Sequence, residues 1–204
     1  MVYFSGLCSR ARRGIAAGAP LAAAMAVLLV PGCAGPVRFL DPEADLAYYE
    51  RVGVIPFTSL AQDRLAGEKT TNVFFTELLD RRFTQVAEPG QFAAAMVRTR
   101  GGTPMTNAWA SAELIKLGED AGVQGVFMGT VRDYEMTQIG RESFPLISLE
   151  VRLVDTATGR VVWSASQTRK GGPALPIIGF GEVHTMGELC SQVCRTLLGS
   201  LPRR

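Results

Sequence analysis

Residues 149–163 read LEVRLVDTATGRVVW, and this stretch decides the fold. Apolar side chains alternate with charged ones from Leu149 to Leu153, which is the period of a β-strand with one buried face. Residues 155–159 (DTATG) have the composition of a tight turn, and a second strand begins at Val161. The stretch therefore predicts two antiparallel strands joined by a turn.

Helices and further strands alternate on both sides of this pair. The predicted elements are strands over residues 51–57, 83–87 and 123–134, helices over 66–82, 89–98 and 110–121, and a last helix that begins at the capping box of Thr185 and Glu188. Strands joined through helices run parallel, whereas strands joined by short turns run antiparallel. The order β-α-β-α-α-β-β-β-α predicts an α/β (α+β) fold, a single mixed β-sheet with helices packed on it.

The first 33 residues have the pattern of a bacterial lipoprotein signal. Arg10, Arg12 and Arg13 precede an uncharged run from Gly14 to Gly32, and a positive flank before an apolar run is typical of secretion. The run ends at Val-Pro-Gly-Cys, which resembles a lipobox, with Pro where a small or β-branched residue is usual. We therefore predict cleavage before Cys33 and lipidation of its thiol, which gives a membrane anchor.

Two other outcomes remain open for this segment. About 20 apolar residues can span a bilayer, so the segment could stay as a transmembrane anchor, although Pro20 and Pro31 interrupt it. The second possible outcome is export of the protein without a lipid anchor. For the lipoprotein, Ala34 stands where lipoproteins kept at the inner membrane commonly carry Asp. This favours the outer membrane, with the protein facing the periplasm.

Cleavage divides the chain into a signal peptide (residues 1–32), a lipidated tether (33–50) and a periplasmic domain (51–204). The signal removes three arginines and no acid, so 18 basic and 19 acidic residues remain. This balance argues against a nucleic-acid partner, whose binding proteins carry a basic surplus. His184 is the only histidine, and no paired-carboxylate or nucleophile motif accompanies it. We therefore expect a protein that is not an enzyme and holds no metal or cofactor.

Cys190 and Cys194 are the cysteines left after processing, and they lie four residues apart on the predicted last helix. Free cysteines are among the most buried residues, so we expect two small apolar side chains in the core. An oxidising compartment also permits a disulfide, although this helical spacing aims the two thiols poorly. A zinc site with His184 is a third interpretation, at a spacing that known sites do not use.

Four segments, taken in order behind a lipobox, resemble one family. They are Val52–Phe57 with the helix that follows it and ends at Leu79, Phe83–Glu88, Leu117–Val131 and Leu153–Trp163. They resemble the periplasmic α/β domain of the curli assembly and transport lipoproteins (the CsgG family), and the N-terminal domain of TolB and the lipoprotein LpoB are similar in shape. The resemblance implies an outer-membrane lipoprotein. It also implies that pore-forming relatives assemble as rings to which each subunit adds two long membrane hairpins.

This chain lacks room for such hairpins. A membrane strand needs about 9–11 residues, whereas only twelve residues separate Tyr134 from Ile147 and residues 171–184 number fourteen. We therefore expect a binding or scaffold component in envelope assembly or in secretion of surface material, whose partners are envelope proteins or further copies of itself. The alternative is an LpoB-like regulator that docks on a peptidoglycan synthase.

One apolar segment is a candidate partner site. Leu175, Ile177, Ile178 and Phe180 lie in a stretch rich in Gly and Pro, where such side chains are unusual. Exposed apolar patches mark interaction sites, so these four residues are the predicted partner-binding residues. The alternative is a loop folded over the edge of the sheet.

Overall fold

The computed structural model describes residues 35–101, 108–172 and 183–202. Seven strands and four α-helices occur in these ranges. In chain order they are β1 (Val37–Leu40), β2 (Arg51–Val54), β3 (Thr58–Ser59), α1 (Ala66–Arg81), β4 (Gln85–Val86), α2 (Pro89–Arg100), α3 (Ser111–Ala121), β5 (Gly125–Ile139), β6 (Glu142–Asp155), β7 (Val161–Lys170) and α4 (Met186–Gly199). One turn of 3-10 helix also forms over Leu46–Tyr48.

All the strands belong to one mixed sheet. Its order is β1-β7-β6-β5-β2-β4, and β3 pairs with β5 beside this path. Strand β2 runs parallel to β4 and β5, because helices connect these strands, whereas β5, β6 and β7 form an antiparallel meander. The predicted fold class and the predicted strand directions are confirmed.

The predicted tether contributes to the sheet and to the core. Residues 37–40 form β1, which pairs antiparallel with β7 from Val37 opposite Ser166 to Leu40 opposite Trp163. Farther along, Leu46 and Tyr49 are buried in the core. The sheet therefore begins before residue 51, because β7 offers a free row of backbone donors and acceptors that a four-residue strand can fill.

The β5–β6 hairpin is longer than the sequence indicated. Strand β5 continues past Tyr134 to Ile139, and β6 begins at Glu142 after a tight turn in which Gly140 has a φ of +63°. The ladder shifts register between Val131 and Asp133. Such a bulge breaks the alternation of apolar and polar residues, which conceals the second half of the strand from a periodicity argument.

Local signals account for the helix ends. At the start of α2, the Glu88 carboxylate accepts hydrogen bonds from the backbone of Gly90 and Gln91, and Pro89 occupies the first turn. Gly122 ends α3 in the left-handed region, as predicted. The hydroxyl of Thr185 accepts a hydrogen bond from the Glu188 backbone, so the predicted N-terminal cap of α4 is confirmed.

Helices cover the two faces of the sheet unequally. Helices α1 and α4 pack on one face, which we call the covered face, and α2 and α3 pack on the other face over β2 and the first part of β5. Within the described residues, no helix lies over the rest of that second face along β6, β7 and β1. We call this region the open face, and its side chains include Ser148, Glu150, Arg152, Ser164 and Ser166.

Candidate interaction surfaces

The residues that the sequence singled out fall in the undescribed ranges. Cys33 lies before residue 35, and Leu175, Ile177, Ile178 and Phe180 lie between residues 172 and 183. Lipidation and partner binding at these positions therefore stay predictions. The described surface nevertheless offers several features that bear on them.

One end of the sheet gathers three chain segments, and we call it the hairpin end. It consists of the tip of the β5–β6 hairpin (residues 136–145), the last residues of β7 (168–170) and the loop between β3 and α1 (60–65). The Leu60 backbone N–H donates to the Val131 carbonyl, and the Lys69 ammonium lies 5.8 Å from the centre of the Tyr134 ring. These contacts place the start of α1 beside the hairpin.

The flanks of the predicted partner segment also meet at the hairpin end. Gly172 and Val183 pair across an isolated antiparallel bridge, and the Gly171 N–H donates to the Pro145 carbonyl at 2.7 Å. The Phe144 ring stacks on His184 with ring centres 6.2 Å apart. The described residues on both sides of the range 173–182 therefore lie at this end of the sheet.

Strand β1 is an edge strand with apolar side chains in solvent. The exposed fraction is 76% for Val37 and 51% for Phe39, both of which lie on the side of the open face, since they pair with Ser166 and Ser164. An exposed edge offers unpaired backbone groups, and natural proteins usually protect such edges. Apolar residues at this edge point to an uncovered interaction surface.

The open face itself is polar. The Arg132 guanidinium pairs with the Glu150 carboxylate, and the hydroxyls of Ser148 and Thr168 share a hydrogen bond of 2.9 Å between neighbouring strands. Strand β7 contributes the small hydroxyl side chains of Ser164 and Ser166 to this face, whereas β6 contributes the longer charged side chains of Glu150 and Arg152. The apolar side chains of β1 thus lie next to a polar surface, and both apolar and polar groups take part in protein interfaces.

An acidic cleft of about 420 Å³ lies at the other end of β1, and it includes Asp41, Asp45 and Asp155. Its carboxylates are mostly engaged in local structure. Asp155 accepts hydrogen bonds from the Tyr49 hydroxyl (3.0 Å) and from the backbone and hydroxyl of Thr158 (2.7 and 2.8 Å). Burial and the charge of Asp155 raise the pKa of Tyr49 far above its ordinary value, so the phenol keeps its proton. These contacts fix the turn before β7.

A second cavity, of about 450 Å³, opens between α1 and α2. Phe75, Phe92 and Met96 provide much of its apolar wall, and Glu68 and Asn72 lie among its lining residues. A volume of this size is in the range that small ligands occupy. Among the described lining residues, Glu68 is the one carboxylate, and the hydroxyls of Thr71 and Thr76 both donate hydrogen bonds to carbonyls of their own helix. The cavity therefore offers mainly shape and apolar surface.

The two cysteines of α4 are core residues. Cys190 and Cys194 are both free and buried, as the apolar interpretation predicts. A hydrogen bond from the Cys194 thiol lowers the pKa of Cys190, and the same bond together with burial raises the pKa of Cys194. No cluster of metal-binding side chains occurs in the part of the chain that the structure describes.

Helices α1 and α4 are joined by a polar contact at the edge of the covered face. The Glu77 carboxylate accepts hydrogen bonds from the Ser191 hydroxyl and, at 3.1 Å each, from two nitrogens of the Arg195 guanidinium. Burial would raise the pKa of Glu77, but these bonds and the Arg195 charge outweigh it and hold the pKa below its ordinary value. Ser191 thus has a structural role, because its hydroxyl donates a hydrogen bond to the Glu77 carboxylate.

The described helices include none with the length and apolarity that a membrane span requires.

Comparison with known proteins identifies the fold by structure and not by sequence. No protein-family model matches the chain, and no curated protein matches it in sequence. Among solved structures, the chain is similar to a subunit of the PelC dodecamer from Paraburkholderia phytofirmans, with 16% identity over 83% of this chain and 97% of that one and a TM-score of 0.57.

Looser likenesses are to the lipoprotein GNA1162 from Neisseria meningitidis (24% identity, 74% of this chain and 99% of that chain, TM-score 0.49) and to the C-terminal domain of LpoB from Salmonella enterica (15%, 59% and 82%, TM-score 0.46). At these identities, similarity speaks to the fold alone. The chain therefore shares its overall architecture with the PelC subunit, over almost the whole length of that subunit.

Proposed function

We propose that the chain is an outer-membrane lipoprotein, anchored through Cys33 and facing the periplasm, that acts by binding. Its task is that of a non-catalytic scaffold in envelope assembly or in secretion of surface material, and it works as an assembly of identical subunits. The resemblance of its segments to the curli lipoproteins supports the setting. The fold that it shares with PelC, a protein that forms a dodecamer, supports the assembly.

The observation that carries this proposal is the combination of the β1 edge with the open face. Phe39 and Val37 expose apolar surface next to a polar region that no described helix covers. A second subunit that packs on this region would remove the apolar side chains from water and would satisfy the free backbone groups of β1. Association of subunits through this surface requires no catalytic side chains.

The test is the size of the full-length protein, produced with its own signal, extracted in mild detergent and weighed by native mass spectrometry. We expect an oligomer for the wild type. Phe39→Asp places a charge on the apolar edge and should yield monomers with an unchanged melting temperature, because Phe39 contributes little to the core. Val97→Asp is the matched control, since Val97 is 60% exposed on α2, and it should leave the oligomer intact.

Wild-type protein that is monomeric in detergent and in membranes would contradict the assembly. If crosslinking in cells from β1 then captured a peptidoglycan synthase, the LpoB-like regulator would replace the scaffold as the function. Metabolic labelling with palmitate tests the anchor separately, because the label should appear in the wild type and disappear in Cys33→Ala.

A further inference from the structure

Strand β4 leaves part of its edge of the sheet unoccupied. It pairs with only two residues of β2, Arg51 and Val52. The Ile55 N–H points to β5, where it donates to the Phe127 carbonyl, so the alternation along a strand turns the backbone groups of Val54 to the side of β4. No described residue forms a hydrogen bond with these groups. The position beside Val54 is therefore open to a further strand.

The cavity of about 450 Å³ between α1 and α2, which we call the α1–α2 cavity, lies at this position. Val54 and Pro56 are among its lining residues, together with side chains from both helices. Helix α1 packs on the covered face and α2 on the opposite face, so the cavity between them continues the plane of the sheet past β2. A strand that entered here would extend the sheet and would lie between two helices.

Strand β1, at the other edge of the sheet, lies at the same height along the strands. One row of paired residues crosses the whole sheet, from Leu40 through Trp163, Leu153 and Phe127 to Val54. A neighbouring copy that is displaced sideways, without a shift along the strands, therefore brings its β1 beside Val54.

The free backbone groups of these two edges match. The Asp41 N–H donates to the Val162 carbonyl, so Asp41 faces β7 and the alternation turns the N–H and C=O of Leu40 away from the sheet. Across the sheet, β1 runs antiparallel to β2. A copy that keeps this orientation places Leu40 antiparallel to Val54, and the two residues can then exchange both backbone hydrogen bonds.

The side chains of β1 fit the two walls of the α1–α2 cavity. Phe39 lies on the side of the open face, which is also the side of α2, and Phe92 and Met96 line the cavity there. Arg38 lies on the side of the covered face, since it pairs with the buried Ala165, and this is the side of α1. An apolar side chain therefore meets the apolar wall, and a basic side chain meets α1.

The wall that α1 provides carries the complementary charge. Glu68 lines the cavity from the first turn of α1. Glu68 and Arg38 are both exposed, and no described residue forms an ion pair with either. Insertion of β1 would give each of them an oppositely charged neighbour, which favours this occupant over an acidic or purely apolar one.

We propose that β1 of one copy inserts into the α1–α2 cavity of the next copy and extends its sheet. Leu40 pairs with Val54, Phe39 packs on the α2 wall and Arg38 lies beside Glu68. The inference rests on the proposed function, because it needs the self-assembly proposed there, and it names the surface of the second subunit that covers β1. Since the contact joins two different surfaces, it repeats from head to tail into a ring or a filament.

The experiment joins two cysteines, introduced into one full-length chain, with a short bifunctional maleimide in the membranes of the cells that produce it. Arg38→Cys marks β1, and Asn72→Cys marks the lining of the cavity. Asp80→Cys, about two turns farther along α1 and likewise exposed, replaces Asn72→Cys in the matched control. Cys190 and Cys194 are buried, and the wild type, treated in the same way, accounts for any reaction of native thiols.

We expect a ladder of covalent dimers, trimers and larger species from the chain with Arg38→Cys and Asn72→Cys, because every copy carries both halves of the contact. The control pair and each single variant should yield at most a trace of dimer. An equal ladder from the control pair would refute the proposal. So would dimers from Arg38→Cys alone that match the yield of the pair, since the β1 strands of two copies would then face each other.

Reversal of the two charges is a second test. Arg38→Glu and Glu68→Arg should each lower the fraction of oligomer several-fold at equal protein concentration, because each brings like charges together. The double variant should regain most of the oligomer, since opposite charges face each other again. Lys116→Glu, on the exposed side of α3, is the control and should change nothing. A double variant that assembles no better than the single variants would contradict the placement of β1 in the cavity.

The size of the wild type separates this inference from the proposed function. A wild type that is monomeric by native mass spectrometry means that the assembly itself fails, and this result needs no crosslink. An intact oligomer that gives no ladder overturns the inference alone, because the subunits are then joined through another surface.

Discussion

The two faces of the sheet at β6 and β7 differ in burial, although the same two strands supply both. On the covered face, Leu149, Val151 and Trp163 lie beneath α1 and α4 and are at most 1% exposed. On the open face, the residues beside them are polar, among them Glu150 and Ser164. The difference shows that one set of alternate residues holds the fold together, whereas the other set is free to serve binding.

The largest difference in stability loss is expected between substitutions at two adjacent residues of β7. Trp163→Ala removes a fully buried ring that meets the Phe127 ring edge-on at 6.2 Å, and should lower the free energy of unfolding by about 3–5 kcal/mol. Ser164→Ala, on the open face, should change it by no more than about 0.5 kcal/mol. Urea denaturation of both variants measures the contrast, and similar losses would refute the assignment of the two faces.

A smaller effect tests how closely α1 approaches the sheet on the covered face. A Cβ at Gly67 would lie 2.1 Å from the Phe57 carbonyl oxygen, which is backbone and cannot turn away. Gly67→Ala should therefore destabilise the protein by about 1–3 kcal/mol, despite the better helix propensity of Ala. Thermal unfolding measures the loss.

Gly187→Ala on α4 is the control for that substitution, because nothing lies within 4 Å of the added Cβ. It should be neutral or stabilising by up to about 1 kcal/mol. A gain in stability at Gly67 as well would mean that α1 sits farther from the strands than the structure shows.

The smallest effect concerns the polar contact between α1 and α4. The pKa of Glu77 is lowered in the folded protein, so its stabilisation is complete above the unfolded pKa and is lost as the pH falls through the folded value. Because the partner Arg195 is largely exposed, we expect Glu77→Gln to cost only about 1–2 kcal/mol at neutral pH.

As the pH falls below the ordinary pKa of a glutamate and then through the lowered pKa of Glu77 in the folded protein, the wild type and the Glu77→Gln variant should converge in stability, since the wild-type carboxylate becomes protonated. Denaturant titrations at several pH values measure this convergence. Glu119→Gln, an exposed position on α3, should show no such pH-dependent difference from the wild type, and a constant gap for Glu77→Gln would contradict the charge-based explanation.

Local sequence patterns were sufficient to predict most of the helices and strands. The alternation from Leu149 to Leu153, the turn at residues 155–159 and the glycine stop at Gly122 predicted their elements, because each depends on residues close in the chain. The patterns missed β1, the two-residue strand β3 and the far half of β5. Strand β1 has four residues and no buried face, and a bulge near Arg132 hides the period of β5.

The candidate surfaces depended more on the tertiary structure. The sequence indicated Cys33 from a lipobox-like motif and the apolar segment around Ile178 from its local composition. It carried no sign that Phe39 would lie at a sheet edge, or that Leu60, Met136 and Lys170 would share one end of the molecule. These residues are far apart in the chain, and only the strand order brings them together.

The sequence by itself determined the lipoprotein-like signal, the near-neutral charge of the chain that follows it, the order of the helices and of five strands, and the alternation that separates the two faces of the sheet. Each follows from side-chain chemistry or from spacing along a few residues. The tertiary structure alone decided that β1 joins the edge next to β7, that α1 and α4 cover one face, and that the open face keeps no described helix. Those features arise from contacts between distant segments, whose geometry is set by packing and strand pairing and not by any local pattern.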